Sequence, residues 1–104
     1  MTTTTDTTNA IITFLNLQGH LVWRNSAAHV YGAGNFHKVR HNGVGDIVGT
    51  LDNGKHIEVE VKTGKDRIRP EQQRHGDELK KRKALYFVAK SFDDFERQWK
   101  GAAK

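Results

Sequence analysis

Residues 46–64 read DIVGTLDNGKHIEVEVKTG. The second half alternates strictly, with Ile57, Val59 and Val61 at one parity and His56, Glu58, Glu60 and Lys62 at the other. A period of two marks a β-strand, because successive side chains leave opposite faces. Asp46 to Leu51 reads as a shorter strand and Asp52-Asn53-Gly54 as a tight turn, so the stretch predicts a β-hairpin.

Two registers are open to this hairpin. A two-residue loop of Asn53-Gly54 pairs 46 with 61 and sets Ile57 opposite Thr50, which mixes the faces. A three-residue loop, a type I turn closed by Gly54 in the left-handed conformation, pairs 51 with 55 and 46 with 60. Ile47 and Gly49 then share a face with Ile57, Val59 and Val61, while Asp46, Val48 and Thr50 join His56, Glu58 and Glu60. Glycine at 54 serves both turns. A slip of one residue sends every side chain to the wrong face, so the cleaner partition predicts the second register. Asp46 then lies beside Glu60, with Lys62 on the same face.

Two adjacent carboxylates repel unless a cation or a proton sits between them. A hard divalent ion such as Mg²⁺ takes oxygen ligands, keeps several waters and often uses one or two carboxylates. Water bound to such an ion becomes a better nucleophile. Lys62 is placed to orient that water, assist its deprotonation or stabilise phosphate charge. The constellation suits metal-assisted phosphodiester hydrolysis. An ordinary solvated strand face with an ion pair explains the same residues without chemistry, and Glu58 is read in that way.

Working outward, MTTTTDTT is polar and low in complexity, with residues 1–5 expected to be disordered. A later Thr or Asp6 can cap an amphipathic helix over about 6–18 that buries Ile11, Phe14 and Leu15 and stops at Gly19. Residues 20–25, HLVWRN, form a short strand. Residues 26–44 hold three glycines and read as a long loop with an extended piece around 37–40. Residues 69–83 predict a helix with Pro70 in its first turn and a thin apolar stripe, Leu79 being its one large member. Gly76 on the same side permits close approach. ALYFVA, 84–89, is apolar enough for a strand buried on both faces. SFDDFERQW, 91–99, opens like a capping box with Asp94 in place of Glu and buries Phe92, Phe95 and Trp99. The order α-β-β-β-α-β-α predicts an α/β domain, one mixed β-sheet flanked by helices, spanning 1–104 without repeat or internal boundary.

The chain of 104 residues carries 17 Lys plus Arg against 12 Asp plus Glu, a net charge of +5 that suits a polyanionic partner. Its lack of cysteine excludes disulfides and Cys-based zinc sites. No segment reads as a signal or a membrane span, so the expectation is a soluble, cytoplasmic protein. HKVRH, 37–41, spaces two histidines as helical zinc ligands would be, but the flanking glycines and the missing third ligand argue against that. His37, Lys38 and Arg40 are read as phosphate contacts or solvated side chains, and Arg24 as a DNA contact or a surface ion pair. Lys65, Arg67 and Arg69 follow the Glu60–Lys62 strand closely and favour phosphate contact. Trp23, Phe14, Phe87 and Trp99 are expected in the core.

Gly45-Asp46, then Glu60-Val61-Lys62, then RPEQQ (69–73) on the next helix resemble the PD-(D/E)XK nuclease superfamily, and within it the small VRR-NUC domains. The stretch GVGDIVGTLDNGKHIEVEVKTGKDRIRPEQQ (43–73) is similar to that family's central block, and GHLVWRN and LYFVAKSFDDF to its flanks, so the likeness runs from about 9 to 96. The resemblance implies a restriction-endonuclease-like core. It implies Asp46, Glu60 and the Val61 carbonyl as Mg²⁺ or Mn²⁺ ligands, Lys62 as the catalytic lysine, and Gln72 touching the metal water or a DNA phosphate. It implies a DNA endonuclease selective for branched substrates, of Holliday-junction or flap type, working as a homodimer. An inactive DNA-binding module and a basic protein-interaction domain are the alternatives.

Three departures stand out. Gly45 replaces the Pro of the superfamily name, a change read as harmless because that side chain does no chemistry. An acidic residue expected near Thr4 is missing, leaving Asp6. The second helix ends in KKRKAL with no glycine to stop it.

Overall fold

The computed structural model describes residues 3–25 and 43–102. The elements run α1 (Thr4–Leu17), β1 (Leu21–Arg24), β2 (Ile47–Thr50), β3 (His56–Val61), α2 (Pro70–Lys81), β4 (Leu85–Ala89) and α3 (Phe92–Ala102). The predicted mixed α/β architecture is observed. One sheet has the order β1-β2-β3-β4, with β1–β2 and β2–β3 antiparallel and β3–β4 parallel.

The hairpin adopts the three-residue register. Ile47 pairs with Val59 and Thr50 with His56. The Leu51 amide donates to the Lys55 carbonyl at 2.8 Å, and the Gly54 amide donates back to the Leu51 carbonyl at 2.9 Å. Gly54 has φ +91°, the left-handed region that closes such a loop and that a side chain would resist.

Apolar parity then builds the core. Ile47, Ile57, Val59, Val61, Phe87 and Ala89 face α1 and α3, which supply Ile11, Leu15, Phe95 and Trp99. Phe95 stacks on Trp99 at 6.0 Å between ring centroids and meets Phe87 edge-on at 5.4 Å. The opposite sheet face lies under α2. Gly76 makes that packing close, since a Cβ there would sit 2.5 Å from the Tyr86 ring.

Several expectations need correction. The first helix starts at Thr4, and Thr3–Thr5 form its cap and first turn instead of a disordered tail. The cause is a capping box: the Asp6 amide donates to Thr3 Oγ1 at 3.0 Å, and the Thr3 amide donates to Asp6 Oδ2 at 3.1 Å. Trp23 is 51% exposed and not core, because it sits on the first strand of the sheet with Leu21, also exposed. β4 buries Phe87 and Ala89 but only half-buries Tyr86 and Val88, as it ends the sheet among the described residues. The third helix runs on to Ala102. The extended piece proposed around 37–40 lies outside the described residues.

The end of α2 shows how the chain manages without its glycine. The Ala84 amide donates to Leu79 O at 3.0 Å and the Lys83 amide to Lys80 O at 3.1 Å, the paired bonds of a Schellman stop. Lys83 occupies the left-handed slot at φ +68°. A Cβ there costs about 1 kcal/mol, so Lys83→Gly is expected to raise stability by roughly 0.5–1 kcal/mol in urea unfolding. A loss of stability would contradict this account of the helix end.

Candidate active site

The site forms where β2 begins and β3 ends. Asp46 immediately precedes β2, and its backbone carbonyl accepts the Asn25 amide at 2.8 Å. Its Oδ2 accepts the Val61 amide at 2.8 Å, so a side chain substitutes for the ladder where the strand has stopped. Cross-strand partners point the same way, and Asp46 therefore shares the face of Glu60. Lys62 follows directly on the end of β3 and donates its own amide to Ala89 O at 2.9 Å.

Glu60 is 3% exposed and heavily engaged on one side only. Gln72 Nε2 donates to Oε1 at 3.0 Å, and Lys62 Nζ lies 3.6 Å from the same oxygen. Oε2 is buried with no hydrogen-bond partner. Burial, and then the Asp46 carboxylate alongside, push the Glu60 carboxyl up to about 8, with Lys62 pulling the other way. Gln72 is itself fixed, since its Oε1 accepts the Arg69 amide at 2.8 Å at the start of α2. Gln72 thus holds Glu60 directly. Tyr86 donates to the Gln72 carbonyl at 3.4 Å. Burial and then Glu60, Glu58 and Asp46 raise its hydroxyl well above the usual range, which keeps it a donor.

A carboxylate oxygen orphaned inside the protein, facing a second carboxylate, fits a hard cation as ligand. Among the described residues no group of three or more His, Asp or Glu side chains converges as a metal site. An ion here would rest on Asp46, Glu60, backbone oxygen and water, as Mg²⁺ commonly does. Asp6 does not supply a further ligand, because its carboxylate caps its own helix. The Thr4 hydroxyl instead touches the Thr63 hydroxyl, one residue beyond Lys62.

A groove of about 640 Å³ opens beside Lys62, lined by Lys65, Asp66, Arg67, Val88 and Lys90 among others. Lys65 and Arg67 line the same groove as Lys62, and Arg69 stands exposed at the start of α2. Lys90 was missed by sequence reasoning. The signal lay in the parallel pair, since Val61 against Ala89 puts Lys62 next to Lys90 at the carboxyl ends of the two strands. Arg24 is not brought to the site. Its register partner is Ile47, on the face opposite Glu60, and its guanidinium donates to Asn9 Oδ1 at 2.7 Å. His37, Lys38 and Arg40 lie outside the described residues.

Glu58 contradicts its reading as a solvated strand neighbour. It is 4% exposed and accepts the Gly45 amide at 2.9 Å, with His75 Nε2 at 2.8 Å and His56 Nε2 at 2.6 Å. α2 covers this face of the sheet, and His75 comes from that helix.

The VRR-NUC domain model matches residues 7–93. The chain belongs to the VRR-NUC domain family. It is therefore a nuclease-type domain of a kind that acts on DNA. No curated protein and no solved structure matches it. The VRR-NUC match begins within α1 and ends within α3, so the hairpin, the Gln72 helix and the basic groove all fall inside it. Among the described residues no helix is long and apolar enough to cross a membrane.

Proposed function

We propose that this VRR-NUC domain hydrolyses DNA phosphodiester bonds with Mg²⁺ or Mn²⁺ held by Asp46, Glu60 and the Val61 carbonyl. The observation that carries the reading is Glu60 Oε2, buried without a partner beside Asp46. When bound, such an ion acidifies water and offsets phosphate charge. Lys62, which lines the groove, brings an ammonium that orients the attacking water and stabilises charge developing on the phosphate. Gln72 keeps the Glu60 side chain aimed. Lys65, Arg67 and Lys90 hold the DNA backbone along the groove, with Arg69 beside them. Selectivity for branched DNA, a homodimeric state and a cytoplasmic setting in a bacterial or phage-infected cell complete the proposal, on the strength of the family resemblance.

A panel of linear, nicked, flap and four-way DNA tests it, with Mg²⁺, Mn²⁺ and EDTA arms. Cleavage strongest on branched substrates and abolished by EDTA is expected. A DNA-binding module without turnover would instead retain these substrates uncut. Sedimentation reads the oligomeric state in the same buffer.

Charge neutralisation gives an independent check on the groove. Lys65→Ala, Arg67→Ala and Lys90→Ala are each expected to weaken DNA binding in EDTA uniformly across sequences. Each should lower the slope of log affinity against log salt by about 1. Fluorescence anisotropy titrations at several salt concentrations measure this, and an unchanged slope for Lys90→Ala would remove that residue from the DNA path.

A further inference from the structure

Glu58 is a buried carboxylate that the proposed hydrolysis does not use. Its contacts explain its place. Oε1 takes the Gly45 amide and His75 Nε2, and Oε2 takes His56 Nε2. A carboxylate offers only acceptors, so both imidazoles meet it through a protonated Nε2. One side chain therefore ties together β3, α2 and the turn that delivers Asp46.

That turn has no other slack. A Cβ at Gly43 would lie 2.4 Å from the Glu71 carbonyl oxygen of α2, and one at Gly45 would lie 2.9 Å from the Val59 carbonyl oxygen of β3. Residues 43–46 are wedged between helix and strand, with the Asn25 amide group donating to the Gly45 carbonyl at 3.1 Å on the far side. The superfamily name has Pro where this chain has Gly45. Proline has no N–H, whereas glycine brings a buried N–H that requires an acceptor. Glu58 is that acceptor. The Gly45 side chain is idle but its amide is not.

We infer that Glu58, tethered by His75 and His56, is a positioning residue that holds the Gly45 amide and thereby keeps the Asp46 carboxylate facing Glu60. The inference rests on the metal-binding reading of Asp46 and Glu60. Partners of this kind, one step removed from the ligands, change metal affinity or activity by about 10–100-fold when lost.

The test is Mn²⁺ affinity of the full chain by calorimetry and electron paramagnetic resonance, beside thermal melting and DNA cleavage. Glu58→Gln keeps an acceptor oxygen for the Gly45 amide and is expected to bind Mn²⁺ close to the wild type. Glu58→Leu fills the space but cannot accept, and is expected to lose about 10–100-fold in Mn²⁺ affinity. Should the Leu variant fail to fold, His75→Leu removes the contact that α2 makes with Glu58 Oε1 and is expected to weaken Mn²⁺ several-fold, with thermal melting followed alongside. Wild-type affinity in the Leu variant, or in His75→Leu where the former does not fold, overturns the inference. Equal losses in the Gln and Leu variants also overturn it, by showing that the charge matters and not the acceptor. Mn²⁺ binding by the wild type without DNA cleavage counts against the nuclease reading and leaves the positioning role standing.

Discussion

Lys62→Ala and Glu60→Gln are each expected to lower DNA cleavage by a factor on the order of 10²–10⁴ while leaving metal-free DNA binding in place. The two losses have different origins. Glu60→Gln removes the charge of a proposed ligand but keeps the oxygen that Gln72 holds at 3.0 Å, so the fold has little reason to change. Lys62→Ala takes away the ammonium 3.6 Å from Glu60 and leaves a buried carboxyl with less to offset its charge. Metal binding should therefore weaken in both variants, through lost charge in one and through a harder deprotonation in the other. Gln72→Ala leaves every charge intact and should cost less than either. Single-turnover cleavage at saturating DNA across a Mg²⁺ titration separates the cases. Added Mg²⁺ restores most of the rate for Gln72→Ala, and for Lys62→Ala only the part lost through weaker metal binding, since the ammonium itself is not replaced. If Glu60→Gln and Lys62→Ala cleave like the wild type, the observed activity belongs to a contaminant.

The element order could be read from the chain because period-two and helical patterns are strong where one face meets the core. Residues 46–64 went further, because only one hairpin register sorts the apolar residues to one face, and that register alone sets Asp46 beside Glu60. Glu58 was misread for a physical reason. Alternation says that a side chain leaves the apolar face, but not whether the other face is wet. β3 is an inner strand, and its parallel link to β4 runs through α2, which covers the polar face. The contact between α2 and the sheet is built from Gln72, His75, Gly76 and Tyr86 more than from large aliphatic residues, so the helix shows no broad apolar stripe to announce it. Trp23 failed in the opposite sense, as residue type suggested the core while strand order put it at an edge of the sheet among the described residues. Lys90 became visible only once β4 was known to run parallel to β3.

Metal-free protein is expected to lose stability as pH rises from about 5 to 8, by an amount on the order of several kcal/mol attributable to Glu60. The native state holds this carboxyl up at about 8, against an ordinary value of 4.5. Between those values the folded chain keeps a proton that the unfolded chain has already released. Folding then takes up a proton, and raising the pH works against it. The stabilisation is full below 4.5 and is lost as pH passes through about 8. Urea unfolding in EDTA at a series of pH values measures the slope. Glu60→Gln isolates the carboxyl, because only the wild type should show the extra slope. Divalent ion inverts the dependence, since it binds the deprotonated pair and releases the proton. The stabilisation conferred by Mg²⁺ should therefore grow with pH in the wild type and be absent in Glu60→Gln. Parallel pH profiles for the two proteins in EDTA would mean that Glu60 is not held protonated. The case for a cation at its orphaned oxygen would then fall with it.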